Sequence, residues 1–471
     1  MTRLLIGRTR GGTITVDARS AHARMAEGPI AGTLLSLFLP ILLGNVLQTL
    51  NGSINAMWVG RYLGAAALVA TANANAVMSF AVAVVMGIGS AAAILIGQNL
   101  GSKNLGEAKR IVGTGATFFL ALALLIALAG ATSSGYIVAQ MRTPLAARHF
   151  AVDYLRIMFL AMPLQTAYIF LTVLLRSTGD SRTPVRFQTL SVALDVVLNP
   201  LLIAGWGPLP MLGVAGSATA TLIAQAVGLT ALTLHVYRTR HMLCLGRDDA
   251  HLLRPDPRIL RMLVGKGTPI GLNMAIVSLS MITMLSLVNR FGTELSAAYG
   301  ACLQLWNFVQ LPVLAMGMAV TPMAAQNLGA RRLDRIGRIA VTGSGLNMAM
   351  AGAVVALTQC FSGPLLGLFL PQNTLALQLA QHINAMVAWS LIPFGVTFVL
   401  ASIIRASSAV FPPLAILFVA LWCIRLPSAV LLMNAWGSDA IWASFGIGSV
   451  SAMLMMIGYY RWAGWRKPFT I

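Results

Sequence analysis

Acidic side chains are what this sequence has least of. Twelve Asp and Glu stand among 471 residues, against 32 Lys and Arg, and charged residues together make up 9% of the chain. A soluble domain carries about 25% charged residues. With 58% hydrophobic residues and a mean hydropathy of +0.80, this chain lies outside that class. Cysteine is nearly as scarce. Cys244, Cys302, Cys360 and Cys423 show neither metal-ligand spacing nor a disulfide framework, so they read as buried thiols. The six histidines form no HExxH or other ligand pattern, and His149 and Asp153 share a helix face only near the edge of an apolar run. No metal and no cofactor are expected. Without clustered His, Cys or paired carboxylates there is no acid–base pair, and an integral membrane enzyme finds no support.

What is abundant is apolar sequence in lengths that suit a bilayer. Runs of about 20 residues recur along the whole chain. Polar breaks divide them into twelve spans, beginning at about 33–58 and 67–97 and ending at about 412–434 and 441–460. The net charge of +20 would suit a nucleic-acid partner, but its placement argues otherwise. Lys103, Lys109, Arg110, Arg182, Arg186, Arg238, Arg240, Arg331, Arg332 and most other basic residues fall in alternate connections. Arg176 and Arg405 also read as members of those connections, whereas Arg61, Arg142, Arg148 and Arg290 fall in the others. That bias is the positive-inside rule, and it predicts an inner-membrane protein with both termini in the cytoplasm. Residues 1–28 form a basic tail without the apolar core of a signal peptide, and Met25 is a candidate start.

The chain repeats itself. Pro40 and Pro269, Arg61 and Arg290, and Arg176 and Arg405 each stand 229 residues apart, and Gln98 and Gln326 stand 228 apart. Six spans per half is an even number, so the halves enter the membrane in the same sense. The expected architecture is all-α: twelve transmembrane helices in two six-helix bundles, related by a pseudo-two-fold along the membrane normal. The N-lobe would cover 29–237 and the C-lobe 267–465, joined by a cytoplasmic linker at 238–266 that holds the Pro255-Asp256-Pro257 break. Pro40 and Pro269 interrupt the first helix of each half, and Pro163 and Pro393 the fourth; they are candidate hinges or packing kinks.

These elements together resemble a known family. Pro40-Ile41-Leu42-Leu43-Gly44-Asn45, Val59-Gly60-Arg61-Tyr62-Leu63-Gly64, Gln98-Asn99-Leu100-Gly101 and Arg176-Ser177-Thr178-Gly179-Asp180 are similar to motifs of the multidrug and toxic compound extrusion (MATE) transporters, closer to their proton-coupled branch. The second half agrees through Ala324-Ala325-Gln326-Asn327-Leu328-Gly329 and Arg425-Leu426-Pro427. The resemblance covers roughly residues 25–460. It implies two bundles facing across a cleft, alternating access, and export of amphipathic organic cations driven by a proton or sodium gradient. It implies a monomer working in the lipid bilayer on small molecules.

One departure from the family matters most. Its proton-coupled branch usually carries an Asp late in the first helix; this chain has Asn55 there. The same branch often shows Asn-x-x-x-Asp-Pro on the fifth helix, and here the order is reversed: Asp195, then Asn199-Pro200. Positions i and i+4 share a helix face, so the carboxylate has moved by one turn and kept its amide beside it. Asp195 is also the one acid deep within an apolar run, where an ionised carboxylate costs several kcal/mol and must face a cavity or a partner. Asp195, Asn199 and Asn55 are therefore the candidate cation-coupling residues. The stretches Leu272 to Leu287 and Trp389 to Ile404, where the sodium-coupled branch places acids, contain none. Sodium prefers hard oxygen ligands and is the alternative ion, the proton the favoured one.

The remaining polar groups are candidates for the cavity wall. Gln48, Asn51 and Asn55 stand at i, i+3 and i+7 on one stripe, with Asn73 and Asn75 on the next helix and Gln304 and Asn307 in the second half. Met316 and Met318, among 24 methionines, would suit a wall that accepts varied shapes. Arg425 reads as a structural arginine that snorkels or binds carbonyls. The rival function is a flippase for lipid-linked or polysaccharide precursors from the same wider superfamily. Such a protein calls for a cationic cavity, for which only Arg156 and Arg425 are candidates.

Overall fold

The computed structural model describes residues 25–141, 143–205, 211–370, 374–462 and 465. Most of the expected basic tail, together with Arg142, Arg466 and Lys467, lies outside the described residues. Among the described residues there are eleven helices long and apolar enough to cross a membrane. They are α1 (Ile30–Gly101), α2 (Leu105–Gln140), α3 (Ala147–Ser177), α4 (Arg182–Ala204), α5 (Val214–Arg238), α6 (Pro257–Phe291), α7 (Thr293–Gly329), α8 (Leu333–Cys360), α9 (Leu375–Ala406), α10 (Phe411–Trp436) and α11 (Asp439–Trp462).

Eleven becomes twelve at Gly64. A straight helix of the 72 residues in α1 would run about 108 Å, far beyond a hydrocarbon core of about 30 Å. Gly64 breaks it with φ 81° and ψ −173°, a conformation open to glycine because it lacks a Cβ. The two arms are thus separate spans, and the fold is the expected twelve-helix all-α membrane architecture. Gly292, with φ 103°, makes the corresponding turn between α6 and α7.

The repeat is equally visible in the backbone where the halves meet. Lys103 and Arg331 both adopt positive φ, 62° and 57°, just after the two Gln-Asn-Leu-Gly elements. Gln98 donates from Nε2 to the carbonyl of Ala406 at 2.6 Å, and Gln326 donates to that of Ser177 at 2.7 Å. Each glutamine therefore caps a helix end in the opposite half. The two glycines let the chains approach: a Cβ on Gly101 would lie 2.0 Å from the Gln326 carbonyl oxygen, and one on Gly329 would lie 1.9 Å from that of Gln98. No side chain fits there.

Burial follows the same division. One apolar core lies within the first half, from Val59 to Val236, with Ile259 and Leu263 joining it. Another, from Met284 to Phe445, lies within the second half. A third is shared: Leu34, Phe38 and Ile41 pack against Met316, Val320, Met323, Ile339 and Val399. The halves are thus fused at the end that carries the basic connections. There, the Lys109 ammonium pairs with Asp249 at 2.6 Å and Thr117 donates to the Leu253 carbonyl at 2.7 Å. Within the expected linker, 238–266, α6 has already begun. Asp256 caps α6 by accepting from the Arg258 amide at 2.9 Å, so residues from Pro257 onward are helical.

Pro40, Pro163, Pro269 and Pro393 all lie within helices, and α7 adds Pro312 and Pro322. Such residues free carbonyls in a span, and neighbouring polar groups can satisfy them.

Candidate functional site

Asp195 stands near the middle of α4 and is 2% exposed. Four side chains from three helices aim at it. Asn51 and Asn55 of α1 donate from their Nδ2 atoms to Oδ2 at 2.7 and 2.8 Å. Asn199, one turn further along α4, donates to Oδ1 at 3.3 Å, and Thr221 Oγ1 of α5 donates to the same oxygen at 3.1 Å. Asn199 also donates to Asn55 Oδ1 at 3.0 Å. Hydrogen bonds to a charged group are worth about 1.5–3 kcal/mol each, enough together to offset the several kcal/mol that burial of a carboxylate costs. The i, i+4 spacing that joins Asn51 to Asn55 and Asp195 to Asn199 sets an amide row of α1 against a carboxylate and an amide of α4.

The cluster borders a cavity of about 250 Å³, lined by the first half and by Met318 of α7. Asn45, Gln48 and Asn51 line it from α1, Gln165, Tyr168, Thr172 and Arg176 from α3, Gln188 and Ser191 from α4, and Gln225 from α5. Asp195 is the only carboxylate in this wall. Gln188 donates to the Gly44 carbonyl at 3.0 Å, which fastens α4 to α1 one turn beyond Pro40.

The structure brings together Asp195, Asn199, Asn55, Asn51 and Gln48. The other expected wall residues go elsewhere. Asn73 donates to Thr143 at 3.3 Å, and Asn75 accepts from the Tyr154 hydroxyl at 3.3 Å beside a separate cavity of about 60 Å³. Gln304 and Asn307 are exposed on α7 and line none of these cavities. Met316 is fully buried in the shared core, whereas Met318 does line the main cavity.

Arginine placement needs the largest correction. Among the described residues, Arg425 is buried rather than snorkelling and donates to no carbonyl. Its guanidinium lies 3.5 Å from the centre of the Phe445 ring, 4% exposed, with Nε and Nη2 unpartnered among the described residues. Arg156 is exposed. Arg176 and Arg405, which read as loop residues, instead close the last turns of helices and line a second cavity, of about 130 Å³. Sequence reasoning also missed Gln165, Gln188 and Gln225; an amide within an apolar run was the available signal.

Comparison with known proteins places this arrangement. The family model described as MatE matches residues 40–201 and again 269–431. The probable multidrug resistance protein YoeA of Bacillus subtilis (strain 168) is 34% identical over 439 residues, 93% of this chain and 95% of its own. A second protein of that organism, the probable multidrug resistance protein YpnP, is 27% identical over 94% of this chain and 98% of its own. A crystal structure of a Vibrio cholerae MATE transporter superposes with a TM-score of 0.85 at 21% identity, covering 94% of this chain and 97% of that one.

Proposed function

Because the chain belongs to the MATE family of membrane transporters, which are not enzymes, we propose that it is a secondary active multidrug exporter, expelling amphipathic organic cations in exchange for protons by alternating access. In this reading it works as a monomer in the inner membrane, with both termini and the basic end of the bundle in the cytoplasm. The relatives named as multidrug resistance proteins support the transported class, and the Asp195 cluster supports the coupling.

The observation that carries the proposal is that the cluster can satisfy both charge states of Asp195. With the carboxylate ionised, all four neighbours donate to it. A proton on Oδ1 can be received by Thr221, whose hydroxyl then donates to the Ser217 carbonyl, already 3.2 Å away. A proton on Oδ2 confronts two amide donors. Asn51 Oδ1 is buried without a partner among the described residues, so a half-turn of that amide presents an acceptor instead. Either change alters the bonds that tie α1 to α4. Pro40 weakens α1 about three turns before Asn51, so the altered bonds act on a helix already able to bend. Protonation would also remove the negative charge that holds a cationic substrate in the cavity.

The test is efflux from proteoliposomes of cationic dyes, with proton and sodium gradients imposed separately. Asp195→Asn is expected to insert and fold, to lose proton-driven transport at least tenfold, and to bind dye independently of pH, since a fixed amide cannot titrate. Adding Asn199→Asp restores the family's usual order on the same face and should recover part of the rate. Full proton-driven efflux by Asp195→Asn would make the carboxylate structural; efflux driven by sodium alone would assign the cluster to that ion.

A further inference from the structure

We propose that Arg176 and Arg405 form a subsite for an anionic group, a carboxylate or a phosphate, carried by the transported molecule. The proposal rests on the export reading above and names a second chemical feature of its substrates.

The two arginines are duplicates, 229 residues apart, each in the last turn of its helix. The repeat brings them from opposite halves to one cavity, which they line together with Met86, Met318 and Phe398. A cation in a helix's last turn is favoured by the macrodipole, and that alone would explain a guanidinium reaching into water. These two do not have that surrounding. Both side chains are half-buried, and neither takes part in an ion pair among the described residues. Arg176 Nε is buried without a hydrogen-bond partner. Arg405 is held in place by its own helix, donating to the Ala401 carbonyl at 3.2 Å and lying 5.4 Å from the Phe398 ring centre. Its charge has no counter-charge there. An anion in this cavity gives each planar fork a charged acceptor.

This cavity continues into the one beside Asp195, because Met86, Val173, Arg176 and Met318 line both. The connected cavities therefore hold one carboxylate, Asp195, and two guanidiniums, with Arg176 lining both spaces and Arg405 the second. A zwitterion, or a cation bearing an acid group, fits that polarity better than a simple cation.

A matched pair of probes tests the subsite: a rhodamine with a free carboxylate and its methyl ester, which share one cationic ring system. Binding is read by fluorescence polarisation on the full chain in phosphatidylcholine nanodiscs. Wild type is expected to bind the acid about tenfold more tightly than the ester, a difference of about 1.4 kcal/mol. Arg176→Gln with Arg405→Gln should abolish the preference, the acid then binding no more tightly than the ester. The corresponding pair of Lys substitutions, which keeps the charge, should retain part of it and controls for folding. Equal binding of the two dyes by wild type, binding of neither, or a preference that survives in the Gln pair overturns the subsite. So does loss of the preference when phosphatidylglycerol is added, which would assign the arginines to a lipid headgroup. Proton-driven efflux of the ester is scored separately. A protein that exports the ester but does not prefer the acid keeps its proposed function and loses the subsite; the converse result separates them the other way.

Discussion

The two halves of this protein share a helical plan and differ in what fills it. In the first half, α1, α3, α4 and α5 line a cavity of about 250 Å³ walled by amides, with Asp195 at one side. The second half is packed with rings: Tyr299 lies 5.4 Å from Trp442 and 6.2 Å from Trp306, and Phe445 lies tilted 5.9 Å from Trp306. Arg425 is sealed among them. Yet the turns at Gly64 and Gly292, the positive φ of Lys103 and Arg331, and the crossed Gln98 and Gln326 bonds match closely. The elements that must meet across the pseudo-two-fold have kept their chemistry. The interiors have not: the first half holds the buried carboxylate and the second a dense aromatic core. Helix geometry differs too: α10 is π-helical over Val419–Arg425, whereas its counterpart α4 is α-helical throughout.

The shared features should be the least tolerant of change. Gly101→Val or Gly329→Val puts a side chain where a Cβ alone would lie within about 2 Å of a backbone carbonyl oxygen, so α1 and α7 must part. Either variant should abolish the seal at the basic end, with effects of similar size because the contacts are reciprocal. In a background lacking the native cysteines, Ser90→Cys on the cavity wall reports this by labelling with an impermeant maleimide. Protection is expected in the parent and rapid labelling from the basic side in both glycine variants. Strong labelling in one variant and none in the other would show that the symmetry is only apparent.

A smaller effect should distinguish the buried charges of the two interiors. Arg425→Met replaces an unpartnered guanidinium with an apolar chain of similar length against Phe445. Replacing a buried charge by a well-packed apolar group is often neutral or stabilising by about 1–4 kcal/mol. Thermal unfolding of Arg425→Met should therefore occur at the same temperature or higher, with transport within about twofold. A large loss of transport would give the second half a charged function of its own and erase the contrast with Asp195.

Legibility from sequence follows the same physical lines. The Asp195 cluster was readable because i, i+3 and i+4 spacing fixes which residues share a face, and a lone acid in an apolar run needs partners. Asn73 and Asn75 were not readable: their helical arm starts afresh after Gly64, and the turn sets its rotation. Met316 and Met318 differ by two residues, which is about 200° around a helix, so one was bound to face away from the cavity. Sequence spacing cannot say which. Arg176 and Arg405 were hidden because polar turn residues follow each of them. The chain looked like a loop from Arg176 onward, but the helix runs to Ser177, with Thr178 at its cap. Their joint role depends on the meeting of two halves, which no local pattern encodes.

The mildest effect belongs to the connection between the halves, where Lys109 holds Asp249. A hydrogen bond from that ammonium, with another from the Gly246 amide, keeps the Asp249 carboxyl below its ordinary range. A carboxylate with a depressed folded value adds stability above its unfolded value, about 3.9, and loses it as pH falls through the folded one. The pair is solvated, so its contribution is small. Asp249→Asn should lower the unfolding temperature slightly at pH 7, and the difference should shrink as pH falls through the folded value of the wild-type carboxyl. A difference that persists at low pH would mean that Asp249 acts through its bond to the Gly246 amide, which asparagine cannot replace equally, and that the ion pair contributes nothing. Since the pair joins α2 to the segment between the two lobes, the same variant measures how far that segment helps to fasten the unlike halves to each other.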